Sequence, residues 1–139
     1  MASFMYTAAK QMILDGNIDF NTDTIRVRAV ADEDYTASAA HTAMSSVTKY
    51  TGSTDVALDT PTITNGILDA TDDANAYPAL AVSGTKDIDA LVIFKFVTDD
   101  AGSTPILYID LATAVRPNGG DVGITWDSGA NKIFALNDA

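Results

Sequence analysis

Ile88-Asp89-Ala90-Leu91-Val92-Ile93-Phe94-Lys95-Phe96-Val97 is the stretch whose reading decides the fold. Ten residues this rich in β-branched and aromatic side chains favour a strand. Successive side chains of a strand point to opposite faces. Ala90, Val92, Phe94 and Phe96 therefore share one face, and Leu91, Ile93 and Val97 share the other. Apolar residues on both faces predict a central strand, or one whose second side is covered by a helix or a partner. Downstream, Asp99-Asp100-Ala101-Gly102-Ser103 reads as a turn and Ile106 to Leu111 as the returning strand. Asn118-Gly119-Gly120 and Asp127-Ser128-Gly129 are two more turns, followed by strands over Asp121 to Trp126 and Lys132 to Leu136. Short strands joined by Gly, Asn and Asp turns describe an antiparallel meander.

Upstream the pattern is weaker. Thr24 to Val30 alternates, with Ile25, Val27 and Ala29 inward and Arg26 and Arg28 forming a basic outer face. Ser3 to Asp15 reads as a helix capped by Ser3 and ended by Gly16, because Phe4, Ala8, Met12 and Met5, Ala9, Ile13 recur at helical spacing. Weak helical character runs from His41 to Val47, and short β-leaning pieces lie between Thr48 and Asp59. Thr62 to Leu68 suggests an edge strand, Asp69 to Asn75 a polar loop, and Tyr77 to Val82 another short strand. The expected fold is mainly β: an antiparallel β-sandwich or partly closed barrel with one N-terminal helix. The expected organisation is a single β-rich domain over 1–139, with 1–16 a helical N-terminal arm.

Composition bounds the function. The hydrophobic fraction of 47% is typical of a globular domain, so enough apolar surface exists to offset the entropy of ordering. The net charge of −11 repels polyanions, which argues against nucleic acid and anionic membrane surfaces as partners. The same charge complements a basic patch on another protein. No run of 18 apolar residues is present, so no membrane-spanning helix is expected. Met1 to Tyr6 lacks a basic region followed by an apolar core, so no signal peptide is expected.

The chemistry available is sparse. With no Cys and a single His, His41, a disulfide, a thiolate nucleophile and a multi-His metal centre are excluded within one chain. Ser45 lies four residues after His41, yet no G-x-S-x-G elbow accompanies it. Asp69, Asp72, Asp73 and Asn75, and separately Asp32, Glu33 and Asp34, are oxygen-rich runs of the kind calcium favours. Neither follows the D-x-D-x-D-G loop with its distal Glu. Asn118-Gly119-Gly120 precedes a strand, so it lacks the helix N-terminus of a phosphate cradle. Trp126, the only Trp, suits the core, or an exposed anchor for a partner or a sugar. No catalytic residue, cofactor or metal is therefore expected.

The order of the segments carries a resemblance. Leu14-Asp15-Gly16-Asn17-Ile18-Asp19-Phe20 leads into Asp23-Thr24-Ile25-Arg26-Val27, the acidic loop Asp32 to Tyr35, and His41. Later come Ala90-Leu91-Val92-Ile93-Phe94-Lys95 and Leu107-Tyr108-Ile109-Asp110, then Pro117-Asn118-Gly119-Gly120-Asp121. Ile124-Thr125-Trp126-Asp127 and Gly129-Ala130-Asn131-Lys132-Ile133-Phe134 close the chain. This succession resembles a family of small virion structural proteins of tailed bacteriophages, over most of the chain and most firmly at its two ends. The resemblance implies a non-enzymatic particle component, first a capsid decoration (cement) protein and second a tail or neck component that recognises a receptor or glycan. It implies a place in the virion, after assembly in the host cytoplasm, and the major capsid protein or other virion proteins as partners. It supplies no catalytic residues. Copies that meet on a symmetry axis suggest a homo-oligomer, a trimer where capsomers meet at three-fold positions. The residues expected at such interfaces are Phe4, Met5 and Tyr6 of the arm, Arg26 and Arg28 of the basic face, and Trp126.

Overall fold

The structure is a computed structural model and describes residues 2–136; Met1 of the expected arm and 137–139 of the expected domain lie outside the described residues. The apolar run around Ile93 forms β7 (Ile88–Val97), which pairs antiparallel with β2 (Ile25–Val30) on one side and β8 (Asp99–Val115) on the other. In this register Ile93 sits between Val27 and Leu107, and Val92 between Arg28 and Tyr108. β1 (Phe4–Met5) adds to the free edge of β8 and β3 (Val56–Ala57) to that of β2, completing a five-stranded sheet in the order β1-β8-β7-β2-β3. Two smaller antiparallel sheets accompany it. One holds β4 (Thr62–Thr64), β5 (Ile67–Asp69) and β10 (Phe134–Ala135); the other pairs β6 (Asp73–Tyr77) with β9 (Val122–Ile124). Among the described residues the fold is thus mainly β with one α-helix and antiparallel sheets; no closed barrel forms, and the arrangement is compatible with a sandwich or partly closed form.

β7 is central, and both of its faces are covered. Ala90, Val92, Ile93 and Phe94 are buried, which accounts for apolar residues at consecutive positions. Leu91 lines a hollow with Tyr77, Val122 and Ile124, so the β6–β9 ribbon lies against that side. That ribbon is closely packed: a Cβ on Gly123 would lie 2.8 Å from the Ala74 carbonyl oxygen. Only glycine admits so close a backbone approach.

Several local expectations change. The helix α1 spans Thr7–Leu14 and begins three residues later than its periodicity suggests. Phe4 and Met5 are strand residues because β8 offers them backbone partners, with Phe4 opposite Tyr108. Ser3 does not cap the helix; its hydroxyl accepts the Asp110 N–H at 2.9 Å. The C-terminal end is as read: Gly16 takes φ +76°, and the N–H groups of Gly16 and Asn17 return to the carbonyls of Ile13 and Met12. This is a Schellman closure. Between His41 and Val47 only a single 3₁₀ turn forms, at Met44–Ser46.

Thr62 to Leu68 is a hairpin, not one strand. Asn65 (φ +53°) and Gly66 (φ +77°) form the turn between Thr64 and Ile67. An Asn-Gly pair with both φ positive matches the right-handed twist of the flanking strands. Asp73 to Tyr77 is a strand where a loop was expected over Asp69 to Asn75, and the chain leaves it at Tyr77 instead of entering a strand there. The reversal after β7 comes at Thr98 (φ +60°), so Asp99 to Ser103 open β8. Trp126 lies beyond β9, outside the expected strand Asp121 to Trp126.

The largest correction concerns Arg28. Alternation along the strand assigns it to a basic outer face, yet only 2% of its surface is exposed. The face it shares with Val92 is covered by the segment around Met44 and Val47. Its Nε and Nη2 donate to the two oxygens of Asp55 at 2.9 and 2.7 Å, and Nη2 also donates to Asp100 at 2.8 Å. Nη1 donates to the carbonyls of Val47 (2.6 Å) and Met44 (3.2 Å). Burial works against the guanidinium charge, but the two carboxylates outweigh it and hold its pKa above the ordinary arginine value. Arg26, on the same side of β2, lies flat on Phe96, its Cζ 3.6 Å from the ring centroid.

Removing one partner of a buried pair strands the other charge, which costs about 3–5 kcal/mol. Arg28→Met is therefore expected to destabilise the chain by about that amount in urea denaturation. Asp100 is 51% exposed, and Asp100→Asn is expected to cost no more than about 1 kcal/mol. Equal losses for the two variants would mean that Arg28 is not the buried hub.

Candidate docking surface

The residues that could carry chemistry are occupied with one another. The Tyr6 and Tyr35 hydroxyls are 2.8 Å apart, and the Tyr35 hydroxyl is 2.9 Å from His41 Nδ1. Tyr108 donates to Asp32 at 3.1 Å, and Asp32 N–H donates to Asp89 at 2.8 Å. Phe4 stacks on Tyr108 with ring centroids 5.1 Å apart and meets Tyr6 edge-on at 5.0 Å. Ser45 is exposed, and no hydrogen bond joins it to His41 among the described residues. The cluster thus ties β1, the loop from Ala31 to His41 and β8 together.

The acidic runs are likewise engaged in local structure. Asp72 accepts the Trp126 N–H at 2.8 Å, Asp73 accepts the Asn75 N–H, and Asp69 accepts the Ala70 N–H and faces Lys132 at 3.7 Å. Asp34 pairs with Lys86. Among the described residues no group of three or more His, Asp or Glu is placed to hold a metal ion. At Asn118-Gly119-Gly120 the Gly119 N–H and the Gly120 carbonyl bond back to Leu80, as a turn does.

The six residues expected at interfaces fall in three places. Phe4 and Met5 are half-buried, while Tyr6 is fully buried under its own sheet. Arg26 and Arg28 lie on β2, the first on Phe96 and the second in the core. Trp126 is half-buried beside an open hollow bounded by Asp72, Asp127, Ser128 and Lys132. Among the described residues no hydrogen bond, ion pair or ring contact joins these three places.

A different surface gathers apolar side chains. Ile13 of α1, Ile18 and Phe20 from the following segment, Ile63 and Leu68 from the β4–β5 hairpin, and Leu136 line one groove. Ile63 and Leu136 are exposed, and Leu14, next to Ile13, is 85% exposed. The rings of Phe20 and Phe134 meet at 5.6 Å in its floor. The groove measures about 170 Å³, below the roughly 300 Å³ at which small-molecule sites begin. It suits a side chain of a partner better than a free ligand. Sequence reasoning missed it because its residues come from three distant segments. The signal at hand was the Asn65-Gly66 turn, which pairs Ile63 with Leu68.

Tyr6, Tyr77 and Tyr108 all sit above the ordinary tyrosine pKa. Burial is the first cause in each, reinforced at Tyr6 by Tyr35, at Tyr77 by Asp55 and at Tyr108 by Asp32. The folded chain keeps these protons after the unfolded chain begins to release its own near pH 10. Their contribution is complete below about pH 10 and is lost as the pH rises further. The urea midpoint is expected to fall across that alkaline range, less steeply in Tyr108→Phe; a flat midpoint would contradict the burial of these hydroxyls.

Comparison with family models, with curated proteins and with solved structures finds no match for this chain.

Proposed function

We propose that this chain is a bacteriophage virion structural protein, a capsid decoration (cement) subunit that binds the head shell and stabilises it. The observation that carries the reading is a groove of exposed apolar side chains on an otherwise acidic β framework. Exposed apolar groups clustered on one surface are a feature of protein interfaces. A stiff framework presents them at small entropic cost on binding. The segment order that resembles small virion proteins of tailed phages supports the same reading. Within it the chain acts without catalysis, its partner is the major capsid protein, and copies gather as trimers at three-fold positions.

Heads lacking the chain are expected to burst at lower temperature and under milder osmotic shock than complete heads, and added protein restores them. Quantitation of the complete particle is expected to give hundreds of copies. Heads equally robust with and without the chain would end this reading.

The second reading is a tail or neck component that recognises a glycan. Its specific support is Trp126 beside Asp72 and Asp127 in an open hollow, an aromatic surface with hydrogen-bonding carboxylates at hand. A handful of copies per particle, with glycan binding lost in a folded Trp126→Ala variant, would favour it.

A further inference from the structure

We infer that the groove between α1 and the β4–β5 hairpin receives one large apolar side chain from a segment of another protein flanked by Lys or Arg. This rests on the docking reading above and names the chemistry of the partner.

The size sets the anchor. An apolar cavity of about 150 Å³ holds one benzene ring. A groove of about 170 Å³ is matched by a single Phe, Leu or Met side chain. Burying such a side chain takes its apolar surface out of water, which favours binding.

The charge sets the flanks. The segments that build the groove are 11–20, 60–68 and 133–136. Together they carry two carboxylates, Asp15 and Asp19, and no Lys or Arg. Asp19 stands between the lining residues Ile18 and Phe20, and Asp15 follows Ile13 by two positions. Both side chains are exposed, and neither is in an ion pair among the described residues. Lys10 stands one turn before Ile13 on α1, and Lys95 is held by Asp23 at 3.0 Å and the Asn17 carbonyl at 2.6 Å. Lys86, Arg116 and Lys132 each sit on a carboxylate of their own chain. A second copy would bring another net charge of −11 toward this rim, which opposes its approach. A segment with Lys or Arg beside its apolar anchor meets the opposite sign, which steers association and fixes register.

The test uses the intact protein and heads lacking it, with co-sedimentation at low and high salt. Ile63→Asp and Leu136→Asp alter exposed groove residues, and unchanged thermal midpoints verify their folding. Each is expected to weaken binding about tenfold or more, the scale of losing a central anchor. The double change Asp15→Asn with Asp19→Asn is expected to weaken binding at about 0.1 M salt and to match the unaltered chain at about 1 M, where screening is near 3 Å. Both Asp variants binding as the unaltered chain does would overturn the groove and leave the docking reading in place. Loss of self-association in Ile63→Asp would overturn it in favour of a second copy. Binding insensitive to salt and to the Asn changes would overturn the cationic partner. An unaltered chain that fails to bind such heads would remove the docking reading and this inference with it.

Discussion

One guanidinium in the interior governs how one face of the main sheet is covered. Arg28 projects from β2 onto the face shared with Val92 and Phe94, where an apolar residue would be the simple choice. A buried charge is tolerated only when it is paired and its hydrogens are accepted. Here Asp55, beside β3, takes two of them, Asp100, at the start of β8, takes another, and the carbonyls of Met44 and Val47 take Nη1. The four partners come from three separate parts of the chain. The loop from Ala31 to Ser53 has almost no regular structure, so this charge gives it a defined path over the sheet.

The second constraint is the docking of β1. Tyr6 N–H donates to the Ile106 carbonyl at 2.9 Å, and Thr7 N–H to that of Ala39. These bonds set where the strand ends and the helix begins. Below them the aromatic cluster of Phe4, Tyr6, Tyr35 and Tyr108 fills the space between β8 and the loop. The groove face sits at the other end of α1, where the Schellman turn releases the chain toward Ile18 and Phe20. The helix therefore connects a fixed aromatic core to an exposed apolar surface.

What the sequence made legible follows from the range of each interaction. The central strand was readable because its ten residues report their own burial, and Gly16 marked the helix end because its left-handed conformation is local. The start of that helix was not readable: helical spacing at Phe4 and Met5 lost to backbone partners a hundred residues away on β8. Alternation at Arg26 and Arg28 suggested a solvent face, since no local pattern announces that Asp55 and Asp100 will converge there. The hairpin at Asn65-Gly66 was legible in principle, because that dipeptide is a strong turn signal; Thr and Ile on both sides disguised it as one strand. Residue type alone points to Phe4, Met5, Tyr6, Arg26, Arg28 and Trp126 as interface groups. Tyr6 and Arg28 proved to be interior groups, while Ile63 and Leu136, which nothing local distinguishes, line the exposed groove.

The pairing of Phe4 with Tyr108, and of Ser3 with Asp110, sets the order in which the chain can be made. Once it has left the ribosome, β1 has no edge to join until more than a hundred further residues have followed. Contacts this distant in sequence slow folding, because the loop must close before they contribute. Translation must therefore pass β8 before the β1 segment can settle, and a cell making this protein in quantity carries, on every nascent chain, an apolar segment awaiting its place.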